Sequence, residues 1–268
     1  MPDKSIMDKL IQWEELLMGA AASGEDVWPQ MNQILQSVHE DMAQKAGPGY
    51  LEESRRLEGI AAQYRGQCKS LKEQLEKEIV RDEFSSGGLT IHRGYYCPSP
   101  VHDIIVGGCN RGRLLKRMTV RSNPTHRYCF NAADELVIAY KSGMPEIIIR
   151  DGQTEIGLLL ASGDYDITTI SESVYRSDGK IASYTYAVCR TRGEKLAVHD
   201  YCKEIYAYSE EGLLEAVDAY ISYHHYKYHF QHDEEGYLSS YTFVVYDGNG
   251  AIKHNDDRVR EIKIKRKV

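Results

Sequence analysis

Residues 245–252 read V-Y-D-G-N-G-A-I, and this stretch decides the fold because its pattern returns in graded copies upstream. The pattern is an aromatic residue, a short polar one, two free positions, Gly, one free position, then Leu or Ile. Tyr246, Asp247, Gly250 and Ile252 fit it fully. Tyr208, Ser209, Gly212 and Leu214 fit with Ser in the polar place; Tyr175, Gly179 and Ile181 fit with Arg176 there. His232, Asp233, Gly236 and Leu238 carry His for the aromatic, and Phe130, Asn131 and Leu136 carry Asp134 for Gly. Fainter copies lie at 151–156, where Thr154 replaces Gly, and at 108–114, where Gly112 and Leu114 survive.

Such a unit is a strand, a tight turn and a second strand. The aromatic leaves the first strand and the short polar side chain bonds nearby backbone. Gly takes a positive φ, and the aliphatic residue re-enters the sheet. The copies are 14 to 33 residues apart. A solenoid holds its period more strictly, so the drift predicts an irregular meander of hairpins.

Working outward, 268 residues suffice for one large or two ordinary domains. A net charge of -7 disfavours nucleic acid and anionic membrane surfaces as partners. Cys68, Cys97, Cys109, Cys129, Cys189 and Cys202 show no C-x-x-C and no metal-ligand spacing, so they read as reduced core thiols. With no signal-peptide pattern and no membrane-length apolar run, the expectation is a cytoplasmic protein.

The first 84 residues have a helical grammar. Ile6, Leu10, Trp13, Leu16 and Leu17 recur at helical spacing behind Ser5 and Asp8, placed as in a capping box, and the stretch runs out near Ser23 and Gly24. Asp26 can cap a second helix carrying Val27, Met31, Ile34, Leu35, Val38 and Met42, ended by Gly47-Pro48-Gly49. A third carries a seam of Leu57, Ala61, Tyr64, Cys68, Leu71 and Leu75 at alternating steps of four and three. The expectation is a helical domain of about three helices over 1–84, either covering the sheet or self-associating through Tyr64, Cys68, Leu71 and Leu75. A monomer follows from the first, favoured option.

Ser85-Ser86-Gly87-Gly88 reads as a linker, after which turn residues recur about every ten positions and predict an antiparallel β meander over 85–268. About a dozen strands are expected: 89–96, 101–106, 113–120, 127–130, 135–140, 146–150, 155–161, 167–175, 180–190, 194–198, 204–208, 213–232 broken within, 237–246, and 251–265 in pieces. The fold class is therefore α+β, a helical bundle followed by a large antiparallel sheet.

Fourteen of the 20 tyrosines fall between Tyr165 and Tyr246, alternating with polar residues in 183–186 and 226–230, so one sheet face becomes an aromatic carpet. Between 201 and 250, nine acidic residues face only Lys203 and Lys227. The tail reverses this with six basic residues from Arg258 on, and Lys263 and Lys265, alternating with Ile262 and Ile264, read as a protected edge strand.

Catalytic constellations are sparse. His224, His225, His229, His232 and Asp233 cluster, but a strand puts at most two of these histidines on each face, so no metal ligands are assigned. Cys97 with His102 and Asp103, or Cys129 with His126, lack any feature that activates a thiol. Residues 107–112 are glycine-rich but lack the Lys-Ser/Thr of a phosphate-binding loop. No catalytic residue and no cofactor is assigned.

The aromatic-Asp-x-x-Gly-x-aliphatic units resemble the YD repeats of the Rhs and teneurin families over about 108–252, with 246–252 the best copy. The resemblance implies a continuous antiparallel ribbon, which in large members coils into a shell around a toxin; these few copies enclose nothing and leave an open, curved sheet. A small cytosolic protein of that kind resembles the immunity proteins encoded beside bacterial polymorphic toxins. The expected function is non-catalytic binding of a cognate toxin with a basic surface, without nucleic acid or membrane, through Tyr208, Glu210, Glu211, Glu215, Asp218, Tyr226, Tyr228, Asp233, Glu234 and Glu235. The alternatives are a metal-dependent hydrolase with its site near His224 to His232 and a structural YD-repeat module.

Overall fold

A computed structural model describes residues 4–23, 26–46, 48–107, 110–119, 122–161, 165–192, 195–221, 224–247, 250–263 and 266–268. Gly24, Gly47, Gly108, Cys109, Val120, Glu194, Ile264 and Lys265, on which some of the expectations above rest, lie outside these.

Five of the pattern's copies are five turns of one geometry. They span residues 131–134, 176–179, 209–212, 233–236 and 247–250. In each, the first residue's amide donates to the carbonyl four residues on, at 2.7 to 3.0 Å, and the fourth residue's amide donates back to the first carbonyl, at 2.9 to 3.1 Å. The fourth residue is left-handed throughout: φ is 63° at Asp134, 81° at Gly179, 83° at Gly212, 80° at Gly236 and 78° at Gly250. The short polar side chains bind backbone amides, Asp233 Oδ1 those of Glu235 and Tyr237 and Asp247 Oδ1 that of Ala251. Glycine is favoured at the fourth place because any Cβ is disfavoured at that φ.

These turns make five of the ten connections among strands β3 (His126–Phe130), β4 (Leu136–Lys141), β5 (Met144–Asp151), β6 (Thr154–Leu160), β7 (Ile167–Tyr175), β8 (Ile181–Arg192), β9 (Lys195–Tyr208), β10 (Leu214–Ile221), β11 (His224–His232), β12 (Leu238–Tyr246) and β13 (Ile252–Glu261). Each pairs antiparallel with its sequence neighbours. Beyond β3 come β1 (Arg81–Ser86) and then β2 (Arg113–Leu114), completing thirteen strands among the described residues. The 151–156 copy is a tighter turn, with Asp151 paired directly to Thr154.

Four helices precede the sheet: α1 (Lys4–Ser23), α2 (Trp28–Ala46), α3 (Pro48–Tyr64) and α4 (Cys68–Glu76). The expected third helix is two, because Gly66 at φ 81° breaks it. Its seam nevertheless holds: Leu57, Ala61 and Cys68 are buried against Ile147, Leu158, Ile170, Ala187 and Tyr201, with Tyr64, Leu71 and Leu75 packed alongside. These residues face the sheet. No described helix is long and apolar enough to cross a membrane.

The other face is covered by residues 87–107 and 110–112, which depart most from expectation. Residues 89–96 and 101–106 are not strands, and the third expected strand shrinks to β2. Instead a 3-10 turn (Gly94–Tyr96) and a short helix, α5 (His102–Ile105), form a strap across the sheet. Ser85 and Ser86 are not a linker but the end of β1, and their pairing with Leu114 and Arg113 closes the strap at its base. Pro98 and Pro100 remove ladder donors, and Arg93 adopts a left-handed φ of 58° that no strand accommodates. Ile91, Cys97, Val101 and Ile105 of the strap pack on Tyr184, Cys202, Tyr206, Val217, Tyr228 and Phe230, so the aromatic carpet is core.

Candidate functional site

Beneath the strap a band of buried polar groups crosses the sheet from β5 to β9. Its centre is Arg93, fully enclosed, whose guanidinium lies 2.7 Å from Glu146 Oε1 and 2.5 Å from Glu155 Oε1. His92 Nε2 is 2.9 Å from the same Glu146 oxygen, and its Nδ1 meets the Tyr184 hydroxyl. Gly157 makes room: a Cβ there would lie 2.2 Å from Glu146 Oε1 and 2.5 Å from Arg93 Nη2. Burial pushes the Glu146 carboxyl up, but Arg93 and His92 outweigh it and hold it well below the ordinary carboxylate range. Burial also keeps His92 below its ordinary value, against the pull of Glu146.

Farther along the band, Glu204 has no exposure at all. It meets His102 Nδ1 at 2.6 Å and accepts hydrogen bonds from the hydroxyls of Ser99 and Tyr206. Asp103 beside it pairs with Arg111 and Arg266, both at 2.9 Å. The paper triad of Cys97, His102 and Asp103 is thus dispersed: His102 engages Glu204, Asp103 engages two arginines, and burial pushes the Cys97 thiol up to about 12. Cys129 is likewise buried, its thiol pushed up to about 12 first by burial.

Sequence reading gave no role to Arg93, Glu146 or Glu155, and counted Glu204 in the acidic stretch between 201 and 250, whereas it is buried on the inward face of β9. The available signal was a charged residue in the inward phase of a strand, as in Cys202-x-Glu204-x-Tyr206, where an apolar side chain belongs.

The outward-facing candidate surface is the end of the sheet that carries the turns at 209–212 and 233–236. They sit at the same end because two antiparallel strands separate them. Glu210, Glu211, Glu234 and Glu235 crown these turns, and Glu215 follows on β10; all five are exposed. None has an ion-pair partner among the described residues. An open depression of about 730 Å³ is lined by His232, Asp233, Glu234, Glu235 and Tyr237.

The other residues expected to meet a partner have occupations within the fold. Tyr208 donates from its hydroxyl to the Ile181 carbonyl at 3.0 Å, with Lys180 and Arg176 near its ring face. Asp218 lies 2.8 Å from His225 Nε2 and 3.6 Å from Lys227. Tyr226 packs at the border of the core. Tyr228 is buried, its hydroxyl donating to the Ile105 carbonyl at 3.4 Å; inward phase on β11 places it under the strap and not on a partner surface. Of the histidine cluster, His225 is stacked between Tyr220 and Tyr246, at 4.4 and 4.8 Å between ring centres.

Compared with models of known protein families and with curated proteins, the chain matches none.

Proposed function

We propose that this chain is a non-catalytic protein-binding module, an immunity-type protein that acts as a monomer and neutralises a cognate toxin by occluding it. One observation carries the reading: Glu210, Glu211, Glu215, Glu234 and Glu235 stand exposed, without counter-ions among the described residues, on a rigid sheet end. Like charges held together in this way stabilise nothing in the fold itself. They favour a basic partner through steering and complementarity, as at the surface of a toxin that handles an anionic substrate. The turns beneath them are fixed by side-chain and backbone hydrogen bonds, so the surface is preorganised.

Co-expression with the toxin encoded beside it tests the proposal. Rescue of growth and a complex that survives gel filtration are expected, and reversing Glu210, Glu211, Glu234 and Glu235 to Lys abolishes both while leaving the melting transition in place. No rescue and no complex with the wild-type chain would refute it.

A further inference from the structure

Where the strap crosses β9, three side chains of metal-binding type converge. Cys202 and Glu204, two apart on β9, point to the same face, and His102 at the start of α5 comes down onto them. One ligand atom from each lies within 4.8 Å of the other two. His102 Nδ1 is 2.6 Å and Cys202 Sγ 3.8 Å from Glu204 Oε1. A tetrahedral zinc ion, with bonds of about 2.0 Å to nitrogen and oxygen and about 2.3 Å to sulfur, sets its ligand atoms roughly 3.3 to 3.8 Å apart. Small side-chain shifts therefore seat an ion among these three.

The two oxygens of Glu204 are used differently. Oε2 accepts from Ser99 Oγ and from the Tyr206 hydroxyl, whereas Oε1 faces His102 and Cys202. Hydrogen bonds that orient a carboxylate through one oxygen while the other points at nitrogen and sulfur are the usual support of a metal ligand. Charge adds a second argument. Glu146 and Glu155, farther along the band, share the Arg93 guanidinium. Glu204 is buried more completely, yet among the described residues no lysine or arginine forms an ion pair with it.

We infer that His102, Cys202 and Glu204 bind a divalent zinc ion that clamps the strap to β9. The mixed thiolate, imidazole and carboxylate set suits zinc and disfavours magnesium and calcium, which take oxygen alone. Cys97 is buried in the same cluster but lies outside this set of three converging ligand atoms. Binding displaces the Cys202 thiol proton, so affinity rises with pH. The enclosed position makes the ion structural: one protein ligand comes from the strap and two from the sheet.

The full-length chain, stripped with a chelator and titrated separately with Zn²⁺ and Co²⁺, provides the test. One ion per chain is expected, with a rise in melting temperature on zinc binding. The cobalt form should show tetrahedral visible bands and a thiolate-to-cobalt charge-transfer band. Cys202→Ser removes that charge-transfer band, and Ser99→Ala weakens zinc about 10- to 100-fold by releasing Glu204. His225→Ala, in the histidine cluster of β11, leaves the metal stoichiometry and the cobalt bands unchanged. Absence of saturable binding by the wild-type chain, a cobalt spectrum without thiolate charge transfer, or loss of the metal in His225→Ala would each overturn the assignment. Because the wild-type cobalt spectrum decides alone, a variant that fails to fold does not obscure the answer.

Discussion

The meander of β3 to β13 and the strap lie against one another and are held by opposite means. The meander is built from short-range rules: each strand hydrogen-bonds its sequence neighbours, and one turn geometry recurs five times. The strap has no ladder over most of its length. It is fixed by long-range buried charge, with Arg93 reaching Glu146 and Glu155, and His102 reaching Glu204. Local rules distribute stability over many equivalent bonds, whereas buried charge concentrates it in a few. A damaged turn should therefore cost little and a damaged ion pair much.

The sharpest way to break that comparison is Arg93→Ala. Glu146 and Glu155 would be left buried without their shared cation, a loss of about 3–5 kcal/mol. Urea unfolding of the variant measures it, and an unchanged midpoint would mean that buried charge does not hold the strap.

Acidification comes next. Burial, and then the Lys141 charge, depress His126 to about 4. Between about pH 6.5 and pH 4 the unfolded chain binds a proton that the folded chain does not. Stability therefore rises with pH across this window and is lost as pH falls through it, by about 3 kcal/mol. His126→Phe, keeping the stack on Tyr128, should flatten the urea midpoint over that window; an unaltered slope would assign the acid sensitivity elsewhere.

Turns should be milder. At Gly250 φ is 78° and a Cβ would meet nothing within 4 Å, so Gly250→Ala isolates the backbone term at about 1–2 kcal/mol, read from the thermal midpoint. A larger loss would show that turns carry more than local geometry. Smallest of all, Glu234→Lys should shift stability by less than about 0.5 kcal/mol, because its side chain is exposed and without an ion-pair partner among the described residues. A substantial change would mean that the acidic end serves the fold and not a partner.

The same division explains what could be read in the sequence. The turns at 131, 176, 209, 233 and 247 were legible because their chemistry is local: a short polar side chain, then a left-handed residue three places on. The packing seam of α3 and α4 was legible as helical spacing, although Gly66 was passed over as the break. The strap was misread as strands because Ile91, Val101, Ile104 and Ile105 are β-branched and no local pattern reports that Arg93 will meet carboxylates 53 and 62 residues away. Tyr228 was placed on a partner surface because alternation separates two faces without saying which one a distant segment covers. The exposure of Glu210, Glu211, Glu234 and Glu235 was legible because exposure at turn tips is itself a local property.

The unbroken strand order gives the sheet the character of a ruler. Each hairpin adds two strands, or about 10 Å, along one axis without rearranging any other pairing. The charged band lies on β5–β9, while Glu234 and Glu235 sit at the β11–β12 turn. Insertion of one hairpin between them would move Glu234 and Glu235 by that increment relative to Glu210 and Glu211, which stay at the β9–β10 turn, and so change the spacing of the acidic end. Variation in hairpin number is thus a direct route to changing which partner outline the molecule can span.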